Sequence, residues 1–377
     1  MQSMNRSGRG FFMDRAFGGG MTHDSAGNAL GQPLPFPCPV MDAAGNQTFV
    51  DTTGAFLVGE LERLDMTLHE PLVSVSWGRD IDLREDVTVA DEVSSFTIST
   101  YGSAGGLGTG QGIGTGKAWV GKESDAIAGV SVDIAKTPHP LRLWALELKY
   151  TIPELESAAK LGRPIDEQKY KALQLKHQMD IDEQVYIGDT TLGDTGLVNQ
   201  SATGAPTTGV TQQNVVAGVS GQTVWTGKTP DEILTDINTA LTTVWANSAW
   251  AVVPRNILIP PAQYGYIATQ KIGLAAQTSI LKYILENNLL ARTGQGQLNI
   301  NPLKWCIGSG VGGTLGTVGN DRMVVYTKDK DRVRYPMTLL QRTQLQYMSI
   351  WHKCTYFGRL GVLELVYPQT MGYFDLI

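Results

Sequence analysis

The sequence predicts an α+β protein in which an α/β block is set into a domain of strands and one long helix. Three observations predict it. Apolar and polar residues alternate at several places between residues 72 and 150. A single helical period runs from 165 to 187. Beyond about residue 195 helices and strands mix, and the chain then closes on strands.

The first 58 residues read as an arm with no core of its own. Gly8, Gly10, Gly18, Gly19 and Gly20 precede Pro33, Pro35, Pro37 and Pro39, and alternate prolines hold a chain extended while removing backbone donors. Such a stretch is either a polar tail or an arm that orders on a neighbour. Phe11, Phe12 and Phe36 are unusual in a tail.

Strands are expected where Val73, Val75 and Trp77 alternate with serines, and again where Phe96 and Ile98 alternate with Ser95, Thr97 and Ser99. A glycine-rich insertion, Gly102 to Gly129, follows. Strand signals resume at Val130, Val132 and Ile134, and a further strand covers 141–150. Two strand regions flanking a long loop read as a projecting β-arm.

The period then changes. Pro164, Asp166 and Glu167 stand where a helix start favours them, and Ile165, Ala172, Met179 and Tyr186 recur every seven, with Leu173, Leu175 and Val185 widening the stripe. This predicts one helix of about 23 residues, ~35 Å long, ended by Gly188. Thr229-Pro230-Asp231-Glu232 signals another helix start, with Ile233, Ile237, Leu241 and Val244 as its buried face. Further elements are expected as a strand at 251–259, helices from Pro261 and through Ile280–Leu285, and strands at 298–307 and 323–326. The span from Leu339 to Tyr367 is expected to be mostly strand.

Composition bounds the function. A chain of 377 residues has room for two or three packed domains, and 42% apolar content supplies their cores. Charged residues make up only 18%, against about 25% in an ordinary domain. Glycine supplies 43 residues, well above the usual ~7%. No run approaches the ~18 apolar residues of a membrane span. The first residues carry Arg6, Arg9, Asp14 and Arg15 and no apolar core, so no secretory signal is expected. Cys38, Cys306 and Cys354 lack metal spacing and suit a reducing compartment. A net charge of −6 argues against a surface that grips nucleic acid.

Motif by motif, chemistry is not supported. Six glycines alternate from Gly106 to Gly116 before Lys117, but Gln111 and Ala118 stand where a phosphate loop needs glycine and a hydroxyl. Gly308, Gly310 and Gly313 match a dinucleotide fingerprint, yet the next residues are too short and glycine-rich for the helix that must follow, so a hairpin-like turn is expected. His177 and Asp180 sit at i,i+3 and could share a metal, or form a solvated, salt-bridged helix end. No cofactor, metal or catalytic residue is expected. Charge, in contrast, is segregated: residues 60–92 hold ten acids and three arginines, whereas 321–359 hold eight bases and three acids. These are either two solvated faces or two surfaces that meet across subunits, with Glu85, Asp86, Arg332 and Arg334 as candidate contacts.

At this point the chain resembles a family. The stretches LWALELKYTIPELE (143–156), GRPI (162–165), MDIDEQVYIG (179–188), SILKYILENN (279–288) and DRMVVY (321–326), taken in order, are similar to tailed-phage major capsid proteins. The resemblance spans roughly residues 60–377 and implies the Hong-Kong-97-like fold. It implies an N-terminal arm (1–58) and peripheral-domain strands (59–101), then an extension loop (102–140) and a peripheral domain (141–194) with its spine helix at 165–187. An axial domain (195–330) and returning peripheral strands with a C-terminal tail (331–377) complete it. It also implies self-assembly as pentamers and hexamers into an icosahedral head made in the bacterial cytoplasm. Packaged DNA would be touched only weakly, scaffold, portal and decoration proteins would be further partners, and no membrane is involved. Candidate intersubunit contacts in the loop are Lys117, Trp119 and Lys122. Some members cross-link lysine to asparagine, but no asparagine follows Asn320, so no such bond is expected. A bacterial nanocompartment shell of the same fold, carrying protein cargo, stays open as an alternative, as does, more remotely, an α/β nucleotide-binding enzyme.

Overall fold

A computed structural model describes residues 38–41, 47–50, 71–103, 120–123, 130–161, 165–200, 209–273 and 278–377. The chain divides into two units, Met1–Leu72 and Val73–Ile377. In the first, β1 (Cys38–Met41) and β2 (Gln47–Val50) pair antiparallel.

The second unit opens with a difference from expectation. Residues 73–76 form no strand, and Trp77–Asp80 is a short helix, α1. The reason lies in the backbone donors. The Ser76 and Trp77 N–H groups go to the carboxylate of Asp182 at 2.8 and 3.2 Å, so they are not free for a ladder. Then come β3 (Asp82–Arg84), β4 (Val93–Ser103), β5 (Val130–Pro140) and β6 (Arg142–Thr151). Helices α2 (Ile152–Leu161) and α3 (Ile165–Tyr186) follow.

The long helix exists where the period put it, and Gly188 beyond it is left-handed (φ 76°). Its buried face matches the expected stripe only in part, at Leu173, Val185 and Tyr186. Met179 and Ala172 are exposed, while Leu173, His177, Ile181 and Val185, four apart, are buried together with Asp182 and Tyr186. The heptad count drifted off this face because a histidine, packed on Trp144, and a hydrogen-bonded aspartate occupy part of it.

The α/β part contains β7 (Thr211–Asn214), α4 (Pro230–Asn247), β8 (Asn256–Ile259), α5 (Pro261–Thr269), α6 (Ile280–Asn287), α7 (Leu289–Thr293), β9 (Asn299–Pro302) and β10 (Arg322–Tyr326). Helix α4 starts with the capping box the sequence predicts: Thr229 and Glu232 exchange side-chain-to-backbone bonds. Its residues Ile233, Ile237, Leu241 and Val244 are fully buried.

The last strands are β11 (Val333–Pro336), β12 (Gln341–Arg342), β13 (Gln346–Met348), β14 (Trp351–Leu360), β15 (Glu364–Leu365) and β16 (Gly372–Asp375). Strand β14 pairs antiparallel with all ten residues of β6, and β12 and β13 pair with its opposite edge. Strand β11 lies between β15, antiparallel, and β3, parallel.

Residues 331–377 divide between sheets: β12, β13 and β14 lie in the sheet of β6, and β11 and β15 in that of β3. Strand β16 joins another sheet, whose order is β7-β16-β10-β8-β9. A buried ion pair explains its place: Arg322 on β10 grips Asp375 on β16 through two bonds of 2.7 and 3.0 Å. This sheet separates two cores. Met323, Val325, Ile257 and Phe374 face α4 and α6, whereas Val324, Tyr326, Leu258 and Tyr373 face the end of α3. A strand buried on both faces has no polar alternation, which accounts for the continuous apolar run at 323–326.

Candidate assembly interface

A long two-stranded ribbon, β4–β5, is largely exposed on β5. It pairs over eleven positions, from Val93↔Pro140 to Ser103↔Val130, so it extends about 37 Å at ~3.4 Å per residue. Among the described residues no third strand joins it. Val93, Val132 and Ile134 are exposed along it, and Phe96 stacks on His139 at 5.6 Å. A two-stranded ribbon is marginal in water and gains stability when another surface covers it.

Its root is locked by Glu364, which is fully buried. Arg334 donates to Glu364 at 2.7 Å, Arg84 approaches it at 3.3 Å, and the Ser94 hydroxyl of β4 also donates to it. A buried carboxylate is tolerated only with such partners. Sequence reasoning missed this residue, although a lone acid in Val362-Leu363-Glu364-Leu365-Val366 was a usable signal.

A second joint is Asp182 on α3. Besides the two N–H groups of residues 76 and 77, it accepts the Trp305 indole N–H at 2.7 Å and faces Lys304 at 3.3 Å. One side chain thus ties the long helix to the start of this unit and to the α/β part. Arg142 likewise clamps Asp194 at 2.7 and 2.8 Å.

The candidate contacts are distributed as follows. Phe11, Phe12, Phe36, Lys117 and Trp119 lie outside the described residues. Lys122 and Glu85 are exposed. Asp86 pairs with Arg84 at 2.7 Å, which lowers its pKa, and Arg332 pairs with Asp329. The acidic and basic segments meet inside one chain: β3 runs beside β11, and Lys328 stands 3.5 Å from Asp82. Arg334 is engaged by Glu364 in the same joint.

His177 and Asp180 do not converge on a shared point: the imidazole lies against the Trp144 ring at 4.7 Å, while Asp180 accepts the Trp144 indole N–H and pairs with Lys176. Among the described residues no three ligand-type side chains gather to hold a metal ion. The 308–319 segment is a closely folded turn. Gly308 has φ 64°, and a Cβ there would stand 2.1 Å from the Thr314 carbonyl oxygen. It runs into β10, not into a helix.

Comparison with known proteins agrees with this architecture. Solved capsids share the fold. The capsid of Myoviridae phage XM1 is 14% identical with a TM-score of 0.62, covering 85% of this chain and 98% of that one. The capsid of a native GTA particle is 12% identical with a TM-score of 0.54, covering 87% and 99%. A structure from Mycobacterium phage Ogopogo is 12% identical with a TM-score of 0.51, covering 86% and 99%. At such identities the likeness is one of fold. No curated protein matches the chain. The family model described as major capsid protein matches residues 116–377, the greater part of the sequence, and the chain therefore belongs to the major capsid protein family.

Proposed function

We propose that this structural capsid protein builds the icosahedral head of a tailed phage around double-stranded DNA, as pentamers and hexamers made in the bacterial cytoplasm. Its work is mechanical: each copy is held by several neighbours at once, so many modest contacts add up to a stable wall. The observation that carries this reading is the β4–β5 ribbon, eleven pairs long with apolar side chains exposed and, among the described residues, no third strand in its sheet. Such a ribbon would gain stability by lying on a neighbouring copy, and Lys122, exposed, belongs to the stretch of chain that joins its two strands. The acidic balance of the chain, −6, suits a wall that confines DNA without gripping it. Scaffold, portal and decoration proteins would complete the assembly.

Negative-stain microscopy of the purified chain tests this. Closed polyhedral particles are expected, and particles from infected cells should protect DNA from nuclease. A monodisperse monomer at high concentration would refute the proposal. A co-purifying enzyme in place of DNA would move the reading to a nanocompartment shell.

A further inference from the structure

One end of the β6–β14 pair carries an apolar tip. Strands β13 and β14 are joined by Ser349 and Ile350, with Met348 paired to Trp351. Turns of this length favour glycine, asparagine or aspartate, yet Ser349 takes φ 57° and the flanking residues are large. Tyr347, Met348, Ile350 and Trp351 are 41–70% exposed. The Tyr347 ring stands edge-on to His352 at 4.7 Å, and Ile152, also exposed, donates its N–H to the Ile350 carbonyl. Four large apolar side chains on a braced turn form the kind of patch that marks an interaction site, and tryptophan and tyrosine are the residues that dominate such sites.

The other end carries a cleft of about 910 Å³. Trp144, Ile187, Trp305, Leu315 and Leu360 give it apolar walls. Leu360 pairs with Arg142 at one end of the ladder and Trp351 with Thr151 at the other, so tip and cleft are separated by about 30 Å at ~3.4 Å per residue. A chain cannot fill its own cleft with its own tip. Charge supplies the complement. Asp180, Glu183 and Asp189 stand on the cleft, and its Arg142 is already engaged by Asp194. Residues 339–353 hold Arg342 and Lys353 and no acid, although Lys353 also stands 3.7 Å from Glu147 of β6 and Arg342 lies opposite Tyr356, part-way along β14.

We propose that the β13–β14 tip of one copy seats in the cleft of a second copy. The contact is head-to-tail, since donor and acceptor sit at opposite ends of one rigid ladder, and repeated head-to-tail contacts close into rings when the rotation permits. The apolar tip and the apolar cleft walls supply the contact, and the basic balance of 339–353 against the cleft acids favours it. The proposal rests on self-assembly and adds which two surfaces meet.

Disulfide trapping tests it. In the full chain, Cys38→Ser removes the third thiol and leaves only the buried Cys306 and Cys354. Ser349→Cys and Leu315→Cys are added together and singly, and assembled particles are oxidised. The double variant should give disulfide-linked multimers on the order of tenfold above either single variant, because bridging requires the two backbones within a few Å. Particles that form but link no better than the singles would overturn the contact while leaving self-assembly standing. A chain that forms no particles at all would overturn both. As a second measure, Ile350→Asp should keep the parental melting temperature and lose assembly; particles at parental yield would refute the proposal.

Discussion

Removing the Asp182 carboxylate is expected to loosen the whole second unit, because three separate parts of the chain depend on it. The residue is 1% exposed on α3 and serves two backbone N–H groups, of Ser76 and Trp77, and the Trp305 indole. In Asp182→Ala these three donors lose their acceptor. At about 1.5 kcal/mol for each bond to a charged group, the loss is about 4–5 kcal/mol. Lys304 adds little, since its side chain is 39% exposed and turns to water. Asp182→Asn keeps one carbonyl oxygen and should cost about half as much. Thermal melting of the unassembled chain, followed by tryptophan fluorescence, reads the difference. At about 2–4 °C per kcal/mol, Asp182→Ala should melt about 10 °C or more below the parent. Lys304→Met should stay within about 1 kcal/mol of the parent. An Asp182→Ala chain melting within about 2 °C of the parent would show that the three donors find other acceptors, and would refute the idea that this carboxylate joins the parts.

Three further outcomes are expected. Gly308→Ala should destabilise by more than ~2 kcal/mol, because a left-handed backbone and a 2.1 Å contact coincide there; Gly316→Ala, left-handed (φ 78°) but open, should cost about 1 kcal/mol, and urea unfolding compares the two. Burial holds the pKa of His177 and His139 below the ordinary 6.5, so the unfolded chain binds more protons just below that value. Stability should therefore be full above pH 6.5 and fall as the pH drops through the lowered values, and His177→Gln should flatten that slope in melts taken between about pH 4 and 7. Purified shells should release single chains of unmodified mass on denaturation, since no asparagine follows Asn320; a covalent ladder that survives reduction would contradict this.

Local rules made much of the fold legible. The Thr229–Glu232 capping box, the helix ending at Gly188 and the two strands around the glycine-rich loop are short-range events, set by backbone geometry and nearby side chains. The strand read at 73–77 failed because its alternation was real but its backbone donors are taken by a carboxylate 105 residues away. The buried face of α3 was read only in part, at Leu173, Val185 and Tyr186, for a related reason: His177 and Asp182 look solvent-facing until their surroundings are known.

The sequence by itself determined the order of elements, the thin charge and the glycine-rich stretches, and through the joint order of its motifs the family. The elements, the charge and the glycine are carried by composition and by periods of two and 3.6, and the family by a resemblance of local motifs; none of these needs knowledge of distant residues. Only the tertiary structure decided which carboxylates are joints, that the acidic and basic segments meet within one chain, and that the last strand enters the sheet of the α/β part. It also set the tip and the cleft at opposite ends of one ladder. Those facts depend on pairs such as Arg322–Asp375 and Arg84–Glu364, separated by 53 and 280 residues, whose worth arises only once folding has removed both charges from water.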